Sequence, residues 1–250
     1  MAAMLNGSIL SIILAAMDVE PKMLKRCVGA MAGLRHSSCI SLTVVSSGTL
    51  PDVFSLFSDD LRSLKVIHME PKGIYSAYNR GLDAELGSYV LFMGADDIVL
   101  PGLDDVLESM CSSTEEPDMI ACPVFMQDRG LSSPSRVRGS LVLRNWCQQG
   151  LLYRASLFAE RRFDPKYVVQ ADHKFNIEVA AKKGTVIDYR SDTICYFSQG
   201  GNMYQRTDLE FRRDMPTIVK DSYGWTFWIL ALVRRSLANL IKGDPAKGER

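Results

Sequence analysis

The side chains best placed to do chemistry are Asp96 and Asp97, adjacent carboxylates that follow the apolar run Val90-Leu91-Phe92-Met93 and the small residues Gly94 and Ala95. Two acids at the mouth of a parallel sheet can hold a divalent cation, because hard ions such as Mg²⁺ take carboxylate oxygen and share their other positions with water and phosphate. Gly94 and Ala95 leave room for such a ligand. The plainer alternative is that Asp96 caps a turn and Asp97 is solvated, as most aspartates after strands are. Upstream, Gly73 opens a segment of helical periodicity and permits close backbone approach, and the free N–H groups and positive dipole of a helix start suit a diphosphate. Lys72 stands beside it, with Asn79 and Arg80 farther along. For Lys72 and Arg80, phosphate binding and a solvated face are equal readings.

These residues need a frame, and the pattern of apolar residues supplies one. Ser8 to Ala16 reads as a buried strand and Pro21 to Leu34 as a helix with Met23, Leu24, Cys27, Val28 and Met31 on its apolar side. Ile40 to Val45 is a second strand, Pro51 to Phe57 a short helix, Leu64 to Met69 a third strand, Ile74 to Leu86 a helix ended by Gly87, and Ser88 to Met93 a fourth strand. Continuous apolar strands alternating with helices imply an α/β chain with a parallel sheet covered on both faces. Ligands of such sheets bind outside the carboxyl ends of the strands, just after Val45 and Met93.

After Pro101 the pattern loosens. A helix is expected over Leu103 to Met110, a strand over Met119 to Met126, a mobile polar loop over Asp128 to Gly139 and a strand near Ser140 to Asn145. A helix over Ala171 to Lys183, strands at Thr185 to Tyr189 and Thr193 to Phe197, and a helical C-terminal region follow. Lys242 to Arg250 reads as a disordered tail.

Composition narrows the function. The 250 residues carry 29 acidic and 29 basic side chains, which removes the long-range field of a nucleic-acid binder, so any anionic ligand must be held locally. The six cysteines, Cys27, Cys39, Cys111, Cys122, Cys147 and Cys195, lack metal-ligand spacing and read as reduced thiols of a cytoplasmic protein. The opening residues lack the basic region of a secretory signal, and no apolar stretch has the ~20 residues of a membrane span.

The segment Glu70 to Gly102, with Gly73-Ile74-Tyr75-Ser76-Ala77-Tyr78-Asn79-Arg80-Gly81, then Gly87-Ser88-Tyr89 and finally Asp96-Asp97, resembles the family 2 glycosyltransferases. The resemblance implies a GT-A fold, with a Rossmann-like, mostly parallel central sheet flanked by helices, a smaller mixed acceptor-side region and C-terminal helices. It implies one GT-A domain over 1–215, divided into a nucleotide-sugar half at 1–100 and an acceptor half at 101–215, and a helical extension and tail at 216–250. It also implies a nucleoside-diphosphate sugar donor, a UDP-sugar being favoured, with Asp96 and Asp97 holding Mg²⁺ or Mn²⁺ and diphosphate.

Phe163-Asp164-Pro165-Lys166-Tyr167, ahead of Ala171-Asp172-His173, is similar to the later region of the same family, and the similarity assigns the general base to Asp172. An inverting hexosyltransferase needs one carboxylate to take the proton of the acceptor hydroxyl and a clamp to stabilise the departing diphosphate. The alternative for Asp172 is an ordinary N-cap of the helix carrying Phe175, Ile177 and Val179. Tyr196-Phe197-Ser198-Gln199-Gly200-Gly201 resembles a late Gly-Gly turn of the family, or is a plain turn.

Two departures bear on the nucleoside. The family usually carries an Asp after the second strand; here Ser46 or Ser47 stands in its place, able to hydrogen-bond a uracil or ribose but without charge. The first strand ends in Ala15-Ala16-Met17-Asp18, and Asp18 either contacts the nucleotide or caps the next helix. The Gln-x-x-Arg-Trp signature of processive synthases is absent, which favours transfer of one sugar, to a glycan or lipid-linked glycan of a bacterial surface polysaccharide such as O-antigen or capsule. The rival is an inactive, glycosyltransferase-like scaffold protein. In 225–242 an aromatic and apolar start runs into Arg234, Arg235 and Lys242, with Leu237, Leu240 and Ile241 at helical spacing. This suits peripheral contact with the inner membrane face, or equally a helix packed on the domain or a partner subunit.

Overall fold

The computed structural model describes residues 8–198 and 208–242, with backbone alone over 234–242. In chain order the strands are β1 (Leu10–Ala16), β2 (Ile40–Ser46), β3 (Ser63–His68), β4 (Tyr89–Gly94), β5 (Ile98–Val99), β6 (Met119–Ala121), β7 (Val124–Met126), β8 (Gly130–Ser132), β9 (Leu151–Arg154), β10 (Ile187–Tyr189) and β11 (Cys195–Phe197). The helices are α1 (Pro21–Ala32), α2 (Ile74–Gly81), α3 (Gly102–Ser112), α4 (Ala171–Ala181), α5 (Leu209–Tyr223) and α6 (Trp225–Lys242).

A seven-stranded sheet has the order β10-β6-β9-β4-β1-β2-β3. From β3 to β4 every pairing is parallel, and β9 alone runs against its neighbours β4 and β6. Successive residues on the central strands feed opposite cores. Ile12 and Leu14 of β1, with Leu91 and Met93 of β4, join Leu24, Val28 and Met31 of α1 on one face. Ile13, Val90 and Phe92 join Tyr75 and Tyr78 of α2 and Phe175 of α4 on the other. Because alternate side chains point to opposite faces and both faces are covered, these strands have no polar side. At ~25 cal/mol per Å² of apolar surface, this two-sided burial is the main stabilising term.

The chain reverses its order across the sheet at β1: β2 and β3 lie to one side, and β4 to the other. That switch point opens a crevice at the carboxyl ends of the strands. A second, four-stranded sheet of order β5-β11-β7-β8 stands over it.

The second half departs from its periodicity. Pro123 splits the expected strand at 119–126 into β6 and β7, which serve different sheets, since proline cannot donate to a ladder. The expected loop at 128–139 contains β8, which pairs antiparallel with β7 through a turn over Gln127, Asp128 and Arg129. The expected strand near 140–145 is a 3-10 turn over Arg138–Val142, and the expected helix at 51–57 is a single 3-10 turn over Phe54–Leu56. Helix α2 stops at Gly81, short of Leu86, because the amides of Asp83 and Ala84 turn back to the carbonyls of Arg80 and Gly81, three residues behind. Position 216, where a helical extension was expected to begin, is Pro216 inside α5. The expected Gly200-Gly201 turn, the tail after Lys242 and the side chains of Arg234, Arg235, Leu237, Leu240, Ile241 and Lys242 lie outside the described residues.

Candidate active site

Strand β4 ends at Gly94 and delivers Asp96 and Asp97 into the crevice. Asp97 is 1% exposed, and its position is over-determined. Its Oδ2 accepts from the Gly94 amide at 2.9 Å and from Gln149 Nε2 at 3.0 Å, and its Oδ1 accepts from the Ser198 amide at 3.2 Å. Three of about four acceptor positions are thus taken. Burial, and then the charge of Asp96, push the Asp97 carboxyl up to about 7 against the opposing pull of those donors. Asp96 is half-buried and lines the cavity, and burial raises its carboxyl as well. A Cβ on Gly94 would sit 2.7 Å from Asp96 Oδ1 and 3.4 Å from Asp97 Oδ2, so only glycine leaves both carboxylates where they are.

Among the described residues neither aspartate has an ion-pair partner, and no group of three or more His, Cys, Asp or Glu is gathered to hold a metal. Two neighbouring carboxylates without an ion pair, both raised by burial although the charge of Arg26 draws Asp96 down, fit a hard cation that takes one or two protein oxygens and completes its shell with water and phosphate. Asp96 has the freer oxygens for that role.

Asp172 reaches the same cavity from α4. It is the second residue of the helix, and Gln170 occupies the capping position, so an N-cap is not its role. It is 6% exposed; Tyr75 Oη donates to its Oδ1 at 2.6 Å and Asn145 Nδ2 to its Oδ2 at 2.6 Å. Burial pushes its carboxyl up to about 6, while Tyr75 and Asn145 hold it from rising further. A carboxylate near 6 is ionised at neutral pH yet basic enough to accept a proton.

The cavity of about 450 Å³ that joins these groups is lined by Asp96, Asp97 and Asp172, with Arg129 and Arg144 from the second-sheet side. The other expected site residues lie outside its lining. Asn79 spends its amide on Phe163, donating to the carbonyl at 2.7 Å and accepting from the amide at 3.0 Å. Arg80 pairs with Asp83 at 3.2 Å. Lys72 is exposed, and Gly73 holds φ at 88°, a left-handed setting that favours glycine. Ser46 is buried and its hydroxyl donates to the Gly48 carbonyl at 2.9 Å within its own turn; Ser47, half-buried, donates its amide to Ala16. Asp18, at φ 48°, accepts from the Thr49 amide at 3.0 Å and so ties the β1 and β2 loops together without capping α1. His173 is buried with Nε2 2.6 Å from the Leu141 carbonyl, a structural place. Tyr78 packs in the aromatic core, whereas Tyr75 turns its hydroxyl on Asp172. Asn145, Gln149, Arg129 and Arg144 carry no local motif; only contacts across the fold mark them.

The sequence profile of glycosyl transferase family 2 matches residues 11–162. The chain belongs to that family. A PGL/p-HBAD biosynthesis glycosyltransferase of Mycobacterium bovis is 28% identical over 223 residues, covering 82% of this chain and 83% of that protein. Among solved structures, S. aureus TarS residues 1–349 in complex with UDP-GlcNAc superpose with a TM-score of 0.74 at 16% identity, over 95% of this chain and 77% of that one. This chain spans 46% of a longer TarS chain. The mannosyltransferase PcManGT from Pyrobaculum calidifontis, in complex with GDP-Man and Mn²⁺, gives 0.58 at 13% identity, over 95% of this chain and 76% of that one. The family 2 chain is a glycosyltransferase of GT-A fold, and none of its described helices is long and apolar enough to cross a membrane.

Proposed function

We propose that this glycosyltransferase moves one sugar from a nucleoside-diphosphate donor to an acceptor hydroxyl with inversion, Asp172 acting as base. The observation that carries the reading is the single cavity holding Asp96 and Asp97 together with the raised, doubly hydrogen-bonded carboxylate of Asp172. Asp172 takes the proton as the acceptor oxygen bonds to the anomeric carbon; the bond from that carbon to the diphosphate breaks, and its electrons leave with the diphosphate. Asp96 and Asp97 would hold Mg²⁺ or Mn²⁺, whose charge stabilises the departing diphosphate. The Arg129 and Arg144 guanidiniums add positive charge on the facing wall.

A UDP-sugar is the favoured donor, supported by the UDP-GlcNAc complex of TarS, and the Mn²⁺ complex of PcManGT supports the metal. The acceptor belongs to a glycan or lipid-linked glycan of a bacterial surface polysaccharide; the mycobacterial relative, named for PGL/p-HBAD biosynthesis, supports a biosynthetic role in a bacterium. Trp225, Ile229 and Val233 of α6 are each more than half exposed, an apolar strip suited to peripheral seating at the inner membrane face. Thermal stabilisation by a panel of nucleotide-sugars, with and without Mn²⁺, tests the donor site. We expect the largest shift from a UDP-sugar with Mn²⁺ and its loss in Asp97→Asn; no response from any donor, or an unchanged response in the variant, would overturn the clamp.

A further inference from the structure

A buried chain of hydroxyl and amide groups runs from β9 to Asp172. Tyr153 Oη donates to Asn176 Oδ1 at 2.8 Å, Asn176 Nδ2 donates to Asn145 Oδ1 at 3.0 Å, and Asn145 Nδ2 donates to Asp172 Oδ2 at 2.6 Å. Asn176 is fully buried and stands four residues after Asp172 on α4, on the same face of the helix. Its surroundings are those of an apolar core, with Phe175, Ile177 and Val179 beside it. An amide there costs stability unless its donors and acceptor are met, and packing alone would be served by leucine.

The direction of the chain is set at its end. An ionised carboxylate only accepts, so Asn145 must turn Nδ2 to Asp172 and therefore Oδ1 to Asn176, which turns its own Oδ1 to Tyr153. All three donors then point toward Asp172, and bonds in series polarise one another. On the opposite side, the one proton of Tyr75 has two acceptors in reach, Asp172 Oδ1 at 2.6 Å and the Val169 carbonyl at 2.7 Å. With Asp172 ionised the proton faces it. Once Asp172 is protonated, rotation of the hydroxyl to Val169 frees an oxygen lone pair to accept from Asp172.

We propose that Asn145, oriented by Asn176 and Tyr153, and Tyr75, as a donor with two positions, are positioning residues that keep Asp172 ionised and aimed before transfer and satisfy it after it takes the proton. The inference rests on Asp172 being the base. The titratable groups facing Asp172 are Tyr75 and Tyr78 from α2, Tyr153 from β9, Cys147 from the turn before β9, and His173 beside it on α4, with Asp96, Asp97, Arg129 and Arg144 across the cavity. Burial holds the three tyrosines well above their ordinary value and the Cys147 thiol up to about 12, and Asp172 has no ion-pair partner among the described residues.

The test is a carboxyl ¹³C titration of aspartate-labelled protein between pH 4 and 9, in which the Asp172 resonance is the one lost in Asp172→Asn. Alongside it runs the pH profile of UDP release from UDP-GlcNAc with Mn²⁺. In Asn145→Leu and Tyr75→Phe the Asp172 midpoint, and the acid limb of turnover with it, should rise by about one pH unit. Tyr153→Phe, which touches no atom of Asp172, should raise both by a smaller amount, with KM for the donor unchanged within about 2-fold in each variant. Midpoints that stay in place in these variants would overturn the proposal, as would midpoints that move while the limb does not. Turnover in Asp172→Asn equal to the unaltered chain would instead sink the base assignment itself, whatever the titration shows. Should Asn145→Leu fail to fold by circular dichroism, the two tyrosine variants carry the test.

Discussion

Gln149 Nε2 donates to Asp97 Oδ2 at 3.0 Å, joining positions 52 residues apart at the floor of the cavity. Gln149 is the middle residue of the 3-10 turn Gln148–Gly150 that enters β9, so the strand that runs against the sheet is also the one that brings this donor to the acidic pair. Removing it should push the Asp97 carboxyl above its value of about 7. Gln149→Leu is therefore expected to weaken the response to Mn²⁺ at pH 7 by roughly 10-fold and to recover much of it at pH 8.5. Cation titrations followed by thermal shift at both pH values check this.

Without a cation, Asp97 and Asp172 make the protein less stable as pH rises from 4 to 7. Asp97 and Asp172 have folded-state carboxyls raised to about 7 and about 6 from 3.8. Between pH 4 and 7 the folded state therefore binds more protons than the unfolded one, and linkage makes stability fall with rising pH. Melting temperature in a chelating buffer should drop from pH 5 to pH 8, and Asp97→Asn should flatten that slope. Asp214, whose carboxyl is held down at about 2 by Lys166 and Arg213, loses its contribution only below this window.

Asn79 is expected to act on the fold and not on the donor. Both atoms of its amide hold the Phe163 backbone. Asn79→Ala should lower stability by about 1–3 kcal/mol in urea titrations, while donor-induced stabilisation at a temperature where the variant is folded stays unchanged. A selective loss of donor response would return Asn79 to the phosphate site.

Gly94→Ala places a methyl group against Asp96 Oδ1 and should displace that carboxylate. Turnover and the Mn²⁺ response should both fall by at least about 10-fold, with the circular dichroism spectrum retained.

Much of the first half was legible in the chain. Runs such as Leu10–Ala16, apolar but for Ser11, and Tyr89–Gly94 lack a polar face because both faces of the sheet are covered, and that pattern admits few other structures. The second half hid more. Strand β9 spans only Leu151–Arg154, and Met119–Met126 looks continuous although Pro123 sends its two ends to separate sheets. The same holds for the site. The acidic pair was visible because charge at a strand end is conspicuous, and Asp172 through family resemblance. Asn145 and Tyr75 take their meaning from Asp172, 27 and 97 positions away, and no local spacing encodes such a contact. Asn79 could not be placed from sequence because a polar residue on a helix before a phosphate-type motif looks the same whether it faces a ligand or holds the backbone of a distant loop, as Asn79 holds Phe163.

The most direct test of the account is the turnover of Asp172→Asn measured beside its donor binding. UDP-sugar turnover should fall by about 10²–10⁴-fold, while stabilisation by UDP-GlcNAc and Mn²⁺ remains that of the unaltered chain. Turnover within a few-fold of the unaltered chain, at intact donor binding, would contradict the assignment of Asp172 as the base.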